Sequence, residues 1–284
     1  MSLQIIDTKQ FFISSNPDPN CGVCLNTDTA FKSNFRFVIP DFIRYDQNTQ
    51  YITIKLIHAE LPYSFYVVNS NNNLLAMTIT TIGDVNVTIT NGNYNATSLI
   101  TYLNTYFQTN YPAIAMTFTL NTSTGRISMS ANQSFSILSS STCVRVLGLS
   151  GVTLNSTSNS LILPNPSDTS GPRTVLIKFN DFQSNSYNVT NRDILTFKSI
   201  PVVVPPFGLI YYQNVDNTET IVKTTSDRNN IEIILTDENN NILNFNGLDW
   251  TMAFEVKNYK RYNPTFNYSN SLETFNPHGN NINE

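Results

Sequence analysis

Residues 231–256, IEIILTDENNNILNFNGLDWTMAFEV, hold two β-type runs on either side of an asparagine-filled turn. Ile231, Ile233 and Leu235 alternate with Glu232, Ile234 and Thr236, and after the turn Trp250, Met252, Phe254 and Val256 alternate with Thr251, Ala253, Glu255 and Lys257. That period of two marks strands with one buried face. The first run is nearly apolar on both faces, which suits a strand covered from both sides. Together the runs read as a closing hairpin, the last two strands of a packed sandwich, with the only tryptophan, Trp250, buried between its sheets.

Upstream of this stretch, FRFVI (35–39), YITIKLIHAE (51–60) and SFYVV (64–68) read as strands, with Ile52, Ile54, Leu56 and His58 on one face. Further strands are predicted at 175–179, 194–200 and 207–212, after a linker at 153–173 rich in Ser, Asn and Pro. Pro201, Pro205 and Pro206 fall between strands, where they remove no ladder bond. From Leu74 the texture changes. LLAMTITTIGDVNVTIT predicts two strands joined near Gly83-Asp84, and the spacing of Leu99, Ile100, Leu103, Tyr106 and Phe107 predicts a helix over 96–108 with Asn95 as N-cap. MTFTLNTSTGRISMSA predicts a hairpin turning at Gly125, and CVRVLGL a short helix ending near Gly148.

About eight strands around this insertion, with long connections and no βαβ alternation, predict an all-β chain: a single jelly-roll β-sandwich with an inserted small α+β module. The expected organisation is an unpatterned N-terminal arm at 1–32, the jelly roll at 33–73 and 174–258, the inserted module with its linker at 74–173, and a C-terminal tail at 259–284 that is extended or disordered when free.

Charged side chains make up only 13% of the 284 residues, about half the usual share, and the net charge is -4. Polarity comes instead from 41 Asn, 27 Ser and 33 Thr. Such a surface is hydrated but weakly self-repelling, which suits a subunit packed against other subunits. It argues against dedicated nucleic-acid binding, which needs clustered Lys and Arg. The densest basic group, Lys257, Lys260 and Arg261, reads as a solvated strand end. No apolar run approaches a membrane span, and the first residues lack the pattern of a secretory signal.

The chemistry-bearing residues form no site, so the expected catalytic, cofactor and metal residues are none, and no cofactor is expected. Cys21 and Cys24, as CGVC, offer half a zinc site at most; the remaining ligand types are Cys143, His58 and His278, without a second pair at ligand spacing. His58 reads as structural. Asp237-Glu238-Asn239-Asn240-Asn241 imitates the start of a calcium loop, but Ile242 replaces the turn glycine and Leu248 the closing carboxylate, leaving a polar turn. No GxSxG, HExxH, P-loop or dinucleotide fingerprint occurs, so an enzyme is not expected.

The succession LPYSFYVVNSNNN, GNYNATSLITYLNTYF, GRISMSANQSFSIL, VRVLGLSG and the 231–256 stretch resembles the penton and minor capsid proteins of virophages, Polinton-like viruses and their giant-virus relatives, virophage penton proteins of the Mavirus kind among them. The resemblance runs from about residue 33 to 257. It implies a structural capsid protein of the virion: a jelly roll standing in the shell, five copies closing each icosahedral vertex as a homopentamer, flanked by the major capsid protein, with the inserted module outward. The rival reading is a receptor- or glycan-binding spike or fibre head, since jelly rolls with exposed Tyr and Asn also bind sugars.

Overall fold

The computed structural model describes residues 2–43, 49–180, 183–184, 196–223 and 228–262. Its strands are antiparallel throughout and fall into four sheets. Two of these form the sandwich. The first runs Ser2–Ser14, Thr251–Tyr262, Thr49–Pro62, Thr220–Lys223, Gln183–Ser184, with Leu209–Gln213 also paired to Thr49–Pro62. The second runs Thr196–Pro201, Thr174–Phe179, Arg228–Thr236, Asn34–Ile43, Gly22–Cys24. Early strands pair with late ones: Asn34–Ile43 with Arg228–Thr236, and Thr49–Pro62 with Thr220–Lys223. This nesting is the wrapping of a jelly roll.

The expected closing hairpin is not formed. Arg228–Thr236 sits in the middle of the second sheet, between Asn34–Ile43 and Thr174–Phe179, whereas Thr251–Tyr262 lies in the first sheet. The asparagine-filled segment is therefore a crossover between sheets. Its start is knotted by Asp237, whose carboxylate accepts the backbone N–H groups of Asn239 and Asn241. Leu243 and Phe245 then plug the end of the core. Both strands bury one face toward the same core, so their alternation fixes that they are strands without saying which strand each one pairs with.

Residues 2–14 are a strand rather than an unpatterned arm, in register with the closing strand from Ser2 opposite Tyr262 to Ser14 opposite Thr251. A register shift between Ile5 and Asp7 interrupts the period that would have revealed it. A second irregularity corrects the face assigned to His58. Ala253 pairs with His58 while Phe254 pairs with Leu56, so Ile57 is an extra residue and parity flips across it. Ile52, Ile54 and Leu56 point into the core, followed by Ala59 and Leu61; His58 is on the outward face, with its ring 6.4 Å from that of Phe12.

SFYVV is not a strand either: Val68 makes only an isolated bridge with Gly92. The chain passes there from one core to another. Phe65 belongs to the sandwich core, and Val67 and Val68 to a second core that extends to Leu163. This second core is walled by a four-stranded sheet, a three-stranded sheet and the helix Ala96–Asn110. The helix begins as its sequence predicts: Asn95 Oδ1 accepts from the Ser98 N–H at 2.8 Å, and Ser98 Oγ accepts from the Asn95 N–H at 3.1 Å, a reciprocal cap. Leu99, Ile100, Leu103 and Phe107 are its buried face. The expected 153–173 linker contains two strands, Leu154–Asn155 and Ser160–Pro166, the latter paired with Arg126–Ser130.

The CGVC pair flanks and enters the edge strand Gly22–Cys24, not an irregular segment, and both sulfurs are free. Cys21 is exposed, and Cys24 donates weakly to Asn26 Oδ1 at 3.6 Å. Cys24 only touches the edge of the sandwich core, partly buried, so a serine there loses little packing. Replacing Cys21 and Cys24 with Ser together is expected to shift Tm by no more than about 2 °C in a thermal melt; stoichiometric zinc in the native protein would contradict this.

Candidate functional site

The most unusual surface lies at 201–215, PVVVPPFGLIYYQNV. Here alternate residues face solvent, and most are apolar: Val203 is 82% exposed, Phe207 79% and Val215 80%, with Leu209 and Tyr211 between them also exposed. The intervening side chains turn inward; Ile210 is in the core, and Val202, Val204 and Tyr212 pack on it. Prolines 201, 205 and 206 stiffen the approach. Phe207 has φ +69°, an outlier for a bulky side chain. It is held there by its own N–H donating to Tyr63 O at 2.8 Å, by Tyr63 N–H donating to Gly208 O at 2.8 Å, and by Gly208 N–H donating to Pro205 O at 3.0 Å. The surroundings thus keep a strained residue with its ring in water. The stripe continues into Leu209–Gln213, which pairs with Thr49–Pro62 on one side; among the described residues no strand pairs with its other side. An unpaired, apolar strand edge favours association.

Beside it, the outward face of the first sheet carries an ion-pair ladder. Glu255 is bridged by Lys55 at 2.6 Å and Lys257 at 3.1 Å. Glu219 receives Lys257, the Thr53 hydroxyl at 2.8 Å and the Tyr259 hydroxyl at 3.1 Å. Tyr259 stacks on Tyr51 with centroids 4.7 Å apart. Lys257 is thus enclosed, its side chain 17% exposed, rather than a solvated strand end. Burial alone would raise the Glu255 carboxyl, but hydrogen bonds from Lys55, Lys257 and Gln10 bring it down to about 2. Glu219 is lowered in the same way, burial being outweighed by Lys257, Thr53 and Tyr259. Both folded-state values lie below the unfolded ones, so this stabilisation is complete above the ordinary value near 4.5 and is lost as pH falls toward about 2. Glu255→Gln is expected to melt below the parent near neutral pH, with the gap closing as pH drops through that window. An equal gap at every pH would refute the ladder's role.

A second polar cluster joins the two cores. Arg145 Nε donates to Asp168 at 2.7 Å, Nη1 reaches Glu238 at 3.4 Å, and Nη2 donates to Ser170 Oγ at 3.0 Å and Gly171 O at 3.1 Å. Arg173 Nη2 donates to Asp168 at 2.7 Å, and the Tyr63 hydroxyl to Ser170 O at 3.0 Å. Burial would raise Asp168, but Arg145 and Ser170 hold its carboxyl well below the usual range. Next to this knot is a cavity of about 170 Å³, lined in part by Asn69, Asn72, Asp237 and Asn241. Arg145 pairs there with Asp168 and Glu238, while the Asp237 carboxylate is held by the backbone N–H groups of Asn239 and Asn241.

The sequence-predicted ligand types stay apart. Cys143 is buried, and burial pushes its thiol up to about 12, which makes it inert at neutral pH. Asp237 closes its own turn, and His58 is on the outward face by Phe12. His278 lies outside the described residues. Among the described residues no three of His, Cys, Asp and Glu converge, and no helix is long and apolar enough to cross a membrane. Sequence reasoning missed the 201–215 stripe and the Arg145 knot. The apolar alternation of the stripe was visible, but a buried strand and an exposed one share that signal.

No protein-family model matches the sequence, and no curated protein matches it. Solved structures do match. The crystal structure of the selenomethionine-labelled mavirus penton protein aligns over 88% of this chain and 100% of that chain, with 9% sequence identity and a TM-score of 0.45.

Proposed function

We propose that this chain is a structural capsid protein, the penton that closes icosahedral fivefold vertices as a homopentamer. The observation that carries the reading is the 201–215 stripe: an apolar, proline-stiffened edge held in a strained conformation and left facing water, which a free-standing soluble enzyme has no use for. The low charge of the surface supports it, because lateral faces that meet copies of themselves must not repel. The sequence resemblance to virophage and Polinton-like penton proteins supplies the kind of shell. In this reading the jelly roll stands between major capsid protein neighbours in the virion, and the module at 74–173 projects outward, where host contact is made. The chain acts by geometry rather than by catalysis. Electron microscopy of particles assembled with the cognate major capsid protein is expected to place it at the vertices; a position inside the shell or on threefold faces would overturn the proposal.

A receptor- or glycan-binding role draws on a separate observation, the asparagine-lined cavity at the Arg145 knot. Glycan-array binding that Asn72→Ala abolishes would favour that reading, and such binding is compatible with a place at the vertex.

A further inference from the structure

The ion-pair ladder on the outward face of the first sheet leaves one carboxylate out. Glu255 and Glu219 are held by Lys55 and Lys257. Glu60 is exposed, and among the described residues its side chain has no hydrogen-bond or ion-pair partner. The cross-strand register shows what surrounds it. Glu60 is opposite Tyr211 on one side and Thr251 on the other. On a neighbouring rung His58 is opposite Gln213 and Ala253, and Phe12 lies beyond Ala253. Leu209, opposite Pro62, follows one rung beyond Glu60. Side chains directly opposite each other stand about 5 Å apart at Cβ, so the Tyr211 ring adjoins the carboxylate. Its hydroxyl donates weakly to Gln213 Oε1 at 3.5 Å rather than to Glu60. Phe12 is 73% exposed, Tyr211 57% and Leu209 54%, so the large side chains around Glu60 are open to solvent.

A solvated carboxylate needs no partner, but this one lies where the apolar stripe at 201–215 runs onto the sheet face. Leu209 and Tyr211 belong to both. A molecule that covers them also covers Glu60, and an ionised carboxylate is costly to take out of water unless a cation comes with it. The aromatic faces beside it attract the same sign of charge. A guanidinium meets both demands, since it donates two parallel bonds to a carboxylate and lays its flat face on a ring. This chain is a poor source of that group. Lys32, Arg36, Lys55, Arg145, Arg173 and Lys257 each hold a carboxylate of their own, and residues 263–284 contain no Lys or Arg. We propose that Glu60, with Phe12, His58, Leu209 and Tyr211 around it, is a docking patch for an arginine-bearing segment of a different shell protein. The guanidinium pairs with the Glu60 carboxylate and stacks on the Tyr211 ring. This rests on the reading of the chain as a shell subunit, and it specifies which neighbour the stripe meets.

The test titrates the full chain with the cognate major capsid protein at low and high salt. Glu60→Gln keeps the shape of an exposed side chain and removes its charge, so the fold should survive, which a Trp250 fluorescence melt checks. It is expected to weaken binding by about tenfold or more and to flatten the salt dependence. Asp216→Asn removes another exposed carboxylate, beyond the patch, and should change neither. Glu60→Lys should abolish binding, and an Arg→Glu change in the capsid protein should restore it. Undiminished binding by Glu60→Gln, or an equal loss with Asp216→Asn, would overturn the patch while leaving the shell reading in place. Self-association of the chain that Glu60→Gln abolishes would put a second copy on the patch and overturn the choice of partner. Neutral-saccharide binding on a glycan array that Tyr211→Ala removes, with capsid binding untouched by Glu60→Gln, would assign the patch to sugars instead. Absence of any binding between the parent chain and the capsid protein would sink the shell reading and this patch together.

Discussion

Replacing Trp250 with Ala is expected to cost about 3–5 kcal/mol, a large part of the stability of an ordinary domain. The indole is 1% exposed and stands between the sheets. It leads the closing strand of the first sheet and meets Phe35 and Phe37 of the second edge-on, at 5.8 and 6.1 Å between centroids. Its Nε1–H donates to Lys32 O at 2.6 Å, and its backbone N–H donates to Ser15 Oγ at 3.0 Å. Alanine therefore leaves a cavity, forfeits the edge contacts and strands a carbonyl. The melting temperature should fall by on the order of 10 °C, with much of the chain insoluble. Trp250→Phe separates the contributions, since it keeps a ring but leaves Lys32 O without its donor, and should cost less. Tyr259→Ala, on the outward face, should leave a folded chain. Acrylamide should barely quench native Trp250 fluorescence; strong quenching would place the indole at the surface and remove the basis for the large loss.

The core position of Trp250 was legible because period-two alternation and its single large aromatic leave few alternatives. Partner choice was not. Ile233 and Phe254 both face the same core from opposite sheets, and nothing in either run distinguishes a hairpin partner from a facing strand. Bulges hid two further features, since one extra residue at Ile57 reversed the face of His58, and a shift after Ile5 masked the strand at 2–14. The helix was readable almost to its ends because its signals are local: Asn95 and Ser98 cap it from within four residues. The candidate site was the least legible part. Whether Phe207 lies in or out depends on the Tyr63 and Gly208 bonds made across 144 residues of chain, which no local pattern reports.

Gly148→Ala is expected to melt the second core. Gly148 ends the short helix Val144–Leu147 at φ +81°, donating its N–H to Val144 O at 3.0 Å. A left-handed conformation alone costs an alanine about 1–2 kcal/mol. The added methyl would also collide with Asn165 O and stand 2.8 Å from Pro166 O, both backbone atoms of the strand Ser160–Pro166. That strand cannot retreat freely, because Asn165 N–H donates to Gly148 O at 3.0 Å and Asp168 N–H to Arg145 O at 3.1 Å. Strain and displacement together should cost about 4 kcal/mol or more. Gly151→Ala is the control, with φ +75° but nothing within 4 Å of the added carbon, so it should pay the conformational cost alone. The sandwich core runs through residues 35–65 and 175–256 and shares no buried side chain with the core between Val67 and Leu163. Calorimetry of Gly148→Ala should therefore show an early transition that Trp250 fluorescence does not follow, because Trp250 reports only the sandwich. If the fluorescence transition falls by the same amount, the two cores unfold as one unit, and the inserted module is not an independent folding unit.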